Sequence, residues 1–310
     1  MSSVYLLFFV VYLCVVFFKS KVVAKGSWND DFLLIDQTKS IQGACAIGIV
    51  LHHLSQKTCA PWLNQEFVIS GLEPFLNLGH LFVAIFFFFS GFGLFKSVKI
   101  KENYLSGFLV KHFAPIIILY IIVNIEFYQI GKVFSPYTWY INAIIFLYIV
   151  FYLSFRFIKN DLASIIIVFF GIVLYCVICN WLVLGVWWYN SIGLFLIGLL
   201  FAKYQDVIVE NIKKHYLFYL IFSVLIFGAT FIIDVLYKSD LNRELVCLNE
   251  FASAFSFVTL VLLVGLKIKI GNKILAFAGT ITLELYLIHG IFVEMFGYSF
   301  VSDEIESVFI

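Results

Sequence analysis

Charge is the first thing this sequence lacks. Only 13% of its 310 residues are Asp, Glu, Lys or Arg, while 63% are hydrophobic. A soluble globular chain is closer to one quarter charged and one half apolar. Thirty-eight Phe and 17 Tyr cannot all be hidden inside one water-soluble core of this length. A soluble domain is therefore excluded, and the composition reads as a polytopic membrane protein. Net charge is also missing: the balance of +1 supplies no field for nucleic acid. Metal-ligand spacing is missing as well, because His and Cys never group in a polar setting. Cys14, Cys45, Cys176 and Cys179 lie inside apolar runs, where a thiol behaves as a small hydrophobe. Cys59 and Cys247 both map to the outer side, which leaves a disulfide between them open. Nothing basic precedes Val4, so the first apolar run reads as a retained helix rather than a cleaved signal peptide.

What is present is a series of apolar runs long enough to cross a bilayer, which takes about 20 residues. Ten are visible, at roughly 4–18, 40–55, 75–95, 112–128, 138–155, 162–182, 185–202, 216–237, 251–267 and 275–297. With the N-terminus outside, 16 of the 20 Lys and Arg fall in connections that face the cytoplasm, and 4 fall outside. Positive residues favour the cytoplasmic side, so the split supports this alternation. The expected fold class is an all-α polytopic membrane protein, a bundle of about ten transmembrane helices with both termini extracytoplasmic. No gap between spans is long enough for an extramembrane domain. Residues 1–310 therefore read as one membrane domain, and its chemistry belongs at or inside the bilayer.

This topology gives each polar residue a depth. The stretch Gln42–Gln56, "QGACAIGIVLHHLSQ", starts near the cytoplasmic face and brings His52 and His53 to the outer end of the second span. Neighbours on a helix point about 100° apart, so at most one of the two faces the bundle squarely. Ionisable residues at membrane depth are costly and mark functional candidates, which adds Glu126, Glu284 and His289. Tyr286 and His289 share a helix face. Lys96, Lys99, Lys101, Lys111 and His112 form a basic cytoplasmic patch. Trp139 and Tyr140 open the fifth span on the outside, where an aromatic face suits a sugar ring. Histidine exchanges protons near neutral pH, so the His pair is the candidate general base.

Three segments, "TKSIQGACAIGIVLHHL", "LGHLFVAIFFFFSGFGLFKS" and "LAFAGTITLELYLIHGIF", resemble the acyltransferase family 3 proteins. These are integral-membrane O-acyltransferases of the O-antigen and exopolysaccharide acetylase type. The first motif of that family runs from a basic residue and Gly through an apolar stretch to a His eleven positions on. Counting back from His53 gives Gln42, followed by Gly43. The run ending in Ser90-Gly91-Phe92 is similar to the family's Phe-rich helix, and Tyr286-Leu287-Ile288-His289 is similar to its last helix. Lys111-His112 resembles the family's Lys-Arg pair, and "TWYI" at 138–141 resembles one of its helix starts. The likeness runs from about residue 35 to 295, with residues 1–20 as an extra N-terminal helix. Gln42 and His112 stand where the family carries basic residues.

The resemblance implies transfer of an acyl group, usually acetyl, from cytoplasmic acetyl-CoA to a hydroxyl of an extracytoplasmic glycan, with no metal. The donor side would draw on Lys39, Gln42, Ser90, Gly91, Lys96, Lys111 and His112. His53 would be the reacting histidine, with His52 second, Glu126 or Glu284 orienting an imidazole and His289 nearby. The acceptor would meet Trp139, Tyr140 and Tyr286. The Lys-, Ile- and Phe-rich composition suggests a low-GC bacterial gene and a multi-pass protein of the plasma membrane, in contact with membrane lipid. A capsular or exopolysaccharide, or its lipid-linked precursor, is the expected acceptor. The rival reading is a transporter, flippase or polymerase of lipid-linked glycans. The transporter form lacks visible repeats and broken helices in the sequence.

Overall fold

The computed structural model describes residues 6–61, 63, 70–129 and 136–297. Lys132, counted above on the outer side, lies outside the described residues, as do the first residues of the N-terminal run. Among the described residues the protein is all-α, apart from one ribbon of two two-residue strands. In order come α1 (Leu7–Phe17), strand β1 (Lys21–Val22), α2 (Ile35–Thr58), α3 (Gly79–Ile100) and α4 (Phe108–Gln129). Then follow α5 (Trp139–Phe157), α6 (Asp161–Trp181), α7 (Gly193–Lys203), α8 (Gln205–Lys214) and α9 (Tyr216–Leu236). The chain ends with α10 (Arg243–Gly265), strand β2 (Ile268–Lys269), α11 (Lys273–Thr280) and α12 (Thr282–Gly297).

Each expected span is found as helix, with three differences. Seven helices among the described residues are long and apolar enough to cross a membrane: α3, α4, α5, α6, the stretch Val186–Lys203, α9 and α10. The last expected span is not one helix. It breaks at Ile281 into α11 and α12, bent by 85°, which raises the number of spans to at most eight. The absence of broken helices inferred from the sequence is thereby corrected. α1 has 11 residues, about 16 Å of helix at the usual rise, well short of a hydrocarbon core of roughly 30 Å. α2 has 24 residues, but Asp36, Lys39, His52, His53 and Lys57 leave it too polar to pass the same test. All six cysteines are free thiols, Cys59 and Cys247 included.

The chain divides into two compact units. The first draws on residues 1–82, 116–138 and 265–310, the second on 83–115 and 139–264. In the first unit, the small residues of "QGACAIG" let α11 lie directly on α2. A side chain at Gly43 would strike the Leu275 carbonyl, and one at Gly279 would strike the Lys39 carbonyl. Backbones that approach this closely gain van der Waals contact, the main cohesive force between helices in lipid. Gly48 leaves its space to the ring of Phe82. The Tyr12 hydroxyl of α1 donates to the Ala44 carbonyl at 3.0 Å. The ribbon pairs Lys21 with Lys269 and Val22 with Ile268.

The second unit repeats the device. Gly91 of α3 sits against the Phe195 carbonyl, and Gly198 of α7 sits against the Phe88 carbonyl. Phe87, Phe88, Phe151 and Phe195 are fully buried around this crossing. Lys99 is tied to Asp161, at 2.6 Å, at the start of α6.

Candidate active site

The first unit gathers three imidazoles. His52 and His53 end α2, and His289 lies midway along α12. The His53 ring stacks on that of His289, with centroids 5.1 Å apart and planes inclined by 23°. The His52 ring lies 4.9 Å from that of His53. The two neighbours do diverge, as helix geometry requires, but both are used. His52 turns toward the 3-10 turn Glu73–Phe75 and the start of α3. His53 turns toward His289 and Tyr137.

The hydrogen bonds fix the same tautomer in all three rings. Nδ1 of His52 donates to the Phe75 carbonyl at 2.9 Å. Nδ1 of His53 donates to Gln56 Oε1 at 3.0 Å. Nδ1 of His289 donates to the Leu285 carbonyl, one turn back, at 3.0 Å. Each acceptor is an oxygen, so each Nδ1 carries the proton and each Nε2 keeps its lone pair. His289 is 5% exposed and its Nε2 carries no hydrogen bond. Gly79 provides the space for Nε2 of His52, since a side chain there would collide with that ring.

A second layer holds these rings in place. Tyr137 lies in the 3-10 turn Pro136–Thr138, and its ring meets His53 at 4.7 Å and His289 at 5.5 Å. Its hydroxyl donates to Glu294 Oε1 at 2.6 Å. Burial and the Glu294 charge push the Tyr137 phenol well above its ordinary pKa, so it remains a donor. Glu294 is 2% exposed and pairs with Lys57 at 3.0 Å. Lys57 is one turn beyond His53 on α2, so the same carboxylate anchors the C-terminal end of the histidine helix. The Tyr286 hydroxyl donates to the Tyr137 carbonyl at 2.5 Å. Gly290 leaves room for the Tyr137 ring.

The structure thus joins His52, His53, His289 and Tyr286. It does not join the two carboxylates selected from the sequence. Glu126 is exposed on α4, and Glu284 is exposed in the first turn of α12, just after the break. Glu294 is the carboxylate beside the rings. The sequence reading missed it, although it is an ionisable residue inside an apolar run and meets the criterion that selected Glu284. Tyr137 had no such signal, because only the tertiary fold brings its turn to α2 and α12.

The remaining residues divide between the units. Lys39 and Gln42 are half-buried on α2 in the first. In the second, Ser90 hydrogen-bonds the Tyr148 hydroxyl, and Gly91 makes the helix crossing described above. The Lys96 ammonium lies over the Phe92 ring at 5.8 Å, and Lys111 is exposed. The His112 ring is hydrogen-bonded to the Tyr104 hydroxyl at 2.9 Å and packs on Phe108 at 4.4 Å. Trp139 and Tyr140 are half-buried, with Tyr140 against Phe87 at 5.0 Å. Among the described residues no group of three or more His, Cys, Asp or Glu is arranged to hold a metal ion.

This set of imidazoles with free Nε2 lone pairs is suited to proton transfer. Neither the curated proteins nor the solved structures give a significant match. The family model of the acyltransferase domain, by contrast, spans residues 39–308, α2 through α12 with both histidine segments included, and the chain belongs to acyltransferase family 3.

Proposed function

We propose that this membrane acyltransferase takes an acetyl group from cytoplasmic acetyl-CoA and places it on a hydroxyl of an extracytoplasmic polysaccharide or its lipid-linked precursor. With the short α1 and the polar α2 counted beside the eight spans above, the chain would cross a bacterial plasma membrane ten times with both termini outside, as the lysine distribution suggests, and work as one domain. The observation that carries the reading is the His53–His289 stack, with both Nδ1 atoms committed as donors.

His53 Nε2 is the general base. It takes the proton of the acceptor hydroxyl as the hydroxyl oxygen bonds to the acyl carbonyl carbon. The carbon–sulfur bond then breaks, and the imidazolium returns the proton to the thiolate. Such a base supplies roughly 10²–10⁴ in rate. His289, whose Nε2 is buried without a partner, stabilises the charge that forms on its stacked neighbour. Lys96 and Lys111 suit the phosphates of the donor. Lys99 is already committed to Asp161. Trp139 and Tyr140 suit the rings of the acceptor.

The 85° break between α11 and α12 is the observation that favours a transporter. Transporters place substrate sites at such breaks. Membership of an acyltransferase family outweighs it. The test is to incubate the reconstituted protein with acetyl-labelled CoA and the glycan fraction of its own cells. Base-labile label in the glycan is the expected result. Glycan that moves across the bilayer and stays unlabelled would favour the transporter.

A further inference from the structure

The second unit holds another polar cluster, made by the turn before α7 and the facing ends of α9 and α10. Asn190 Nδ2 donates to Glu250 Oε2 at 2.8 Å. The Lys238 ammonium bridges Glu250 at 2.5 Å and Asp234 at 3.2 Å. Arg243 Nε donates to the Tyr189 hydroxyl at 2.8 Å, with the guanidinium 5.7 Å above that ring. Ser253 follows Glu250 by one helical turn. Asn190, Ser191 and Ser253 are 2%, 1% and 1% exposed, and Asp234 and Glu250 are both 5% exposed.

These groups are not saturated. Asn190 Oδ1, Ser191 Oγ, Ser253 Oγ, Asp234 Oδ2 and Arg243 Nη2 are buried and carry no hydrogen bond, while Asp234 Oδ1 meets the Lys238 ammonium. A buried polar atom left unsatisfied destabilises the fold by the loss of its hydration. Such atoms are few in a folded protein and each calls for an explanation. Those of this cluster are the largest group of such atoms among the described residues. A region this rich in them is built to meet a partner.

The chemistry of the partner follows from the set. The unsatisfied atoms include acceptors, a donor and two hydroxyls, so the partner both donates and accepts. Asp234 and Glu250 are balanced by Lys238 and Arg243, so a charged partner would leave one charge uncompensated. Trp187 and Tyr237 flank the cluster in sequence, each 53% exposed, and offer flat faces. A hydroxyl-rich, uncharged ring meets all of these demands.

We propose that the second unit binds a neutral sugar unit through Asn190, Ser191, Asp234, Glu250, Ser253 and Arg243. The proposal rests on the glycan-acceptor reading above and supplies that acceptor with a holding site.

The test uses the full chain in lipid nanodiscs with N-acetylglucosamine, galactose and rhamnose as probes, read by saturation-transfer NMR. At least one sugar is expected to receive saturation at its ring protons. Asp234→Asn and Ser253→Ala, checked for unchanged melting temperature, should each weaken that binding at least tenfold. His53→Ala should bind as the wild type does while transferring no acetyl group. Binding of none of the three sugars, or binding unchanged in both variants, would overturn the proposal and leave the cluster to water. Sugar binding without any acetyl transfer by the wild type would leave this site standing and remove the acyltransferase acceptor reading. Transfer with no dependence on Asp234 or Ser253 would do the reverse.

Discussion

In the proposed reaction the deciding residue is His53, and what would prepare it is the hydrogen bond from its Nδ1 to Gln56. An imidazole without that acceptor divides its time between tautomers and is a base at Nε2 for only part of it. Gln56→Leu should therefore lower the acetyl-transfer rate about 10-fold, a fraction of the roughly 10²–10⁴ that a general base supplies, at unchanged protein level. Rates measured on equal amounts of reconstituted protein check this. Gly79 has a similar indirect role, because its missing side chain is the space occupied by His52. Gly79→Val should displace that ring and reduce the rate, while Gly93→Ala, with nothing within 4 Å, should leave it unchanged. At this scale much of the site was legible: His52, His53, His289 and Tyr286 stand out as polar residues in apolar runs. Glu294 was equally visible in principle. Tyr137 was not, because a loop residue carries no periodicity and its value comes only from the elements that surround it.

The element that positions the site is the pair α2 and α11. Their backbones touch at Gly43 and Gly279, where any side chain meets main chain rather than a movable neighbour. Overpacking of a tight contact costs typically about 1–3 kcal/mol. Gly43→Leu or Gly279→Leu should lower the melting temperature in detergent, whereas Gly228→Ala, in open space on α9, should not. The apolar run lengths predicted a helix at every expected span, because length and hydropathy decide what can cross a bilayer. They did not predict the break at Ile281. No proline marks it; the local signal is only Gly279, Thr280 and Thr282 around Ile281, small and polar residues that also occur inside unbroken helices of this chain. The short α8, Gln205–Lys214, also went unread, because its polar residues resemble a loop when apolar length is the only criterion.

At the scale of the molecule, two properties follow from charge. The first is orientation. Cysteines introduced at Asp240 and at Lys101 should differ: the first should react with an impermeant maleimide from outside, the second only after permeabilisation. Equal labelling of both would contradict the topology. The second is pH tolerance of the second unit. Burial lowers the pKa of the Lys238 ammonium, but Glu250 and Asp234 more than compensate, so it lies above the ordinary lysine value. A cation whose pKa is raised by folding adds stability that is fully present below the unfolded value, near 10.4, and is lost as pH rises through the folded one. Melting temperature should thus hold across the neutral range and fall only in strong base, and Lys238→Met should remove that fall.

The central claim is that the histidine at the outer end of α2 carries out acyl transfer to a surface glycan. The most direct test is the O-acetyl content of the surface polysaccharide, by proton NMR, in a deletion strain complemented with wild type, His52→Ala or His53→Ala at equal expression. The account predicts that wild type restores the acetyl signal, that His52→Ala restores at least part of it, and that His53→Ala restores none. Full restoration by His53→Ala, or an acetyl signal already intact in the deletion strain, would contradict it.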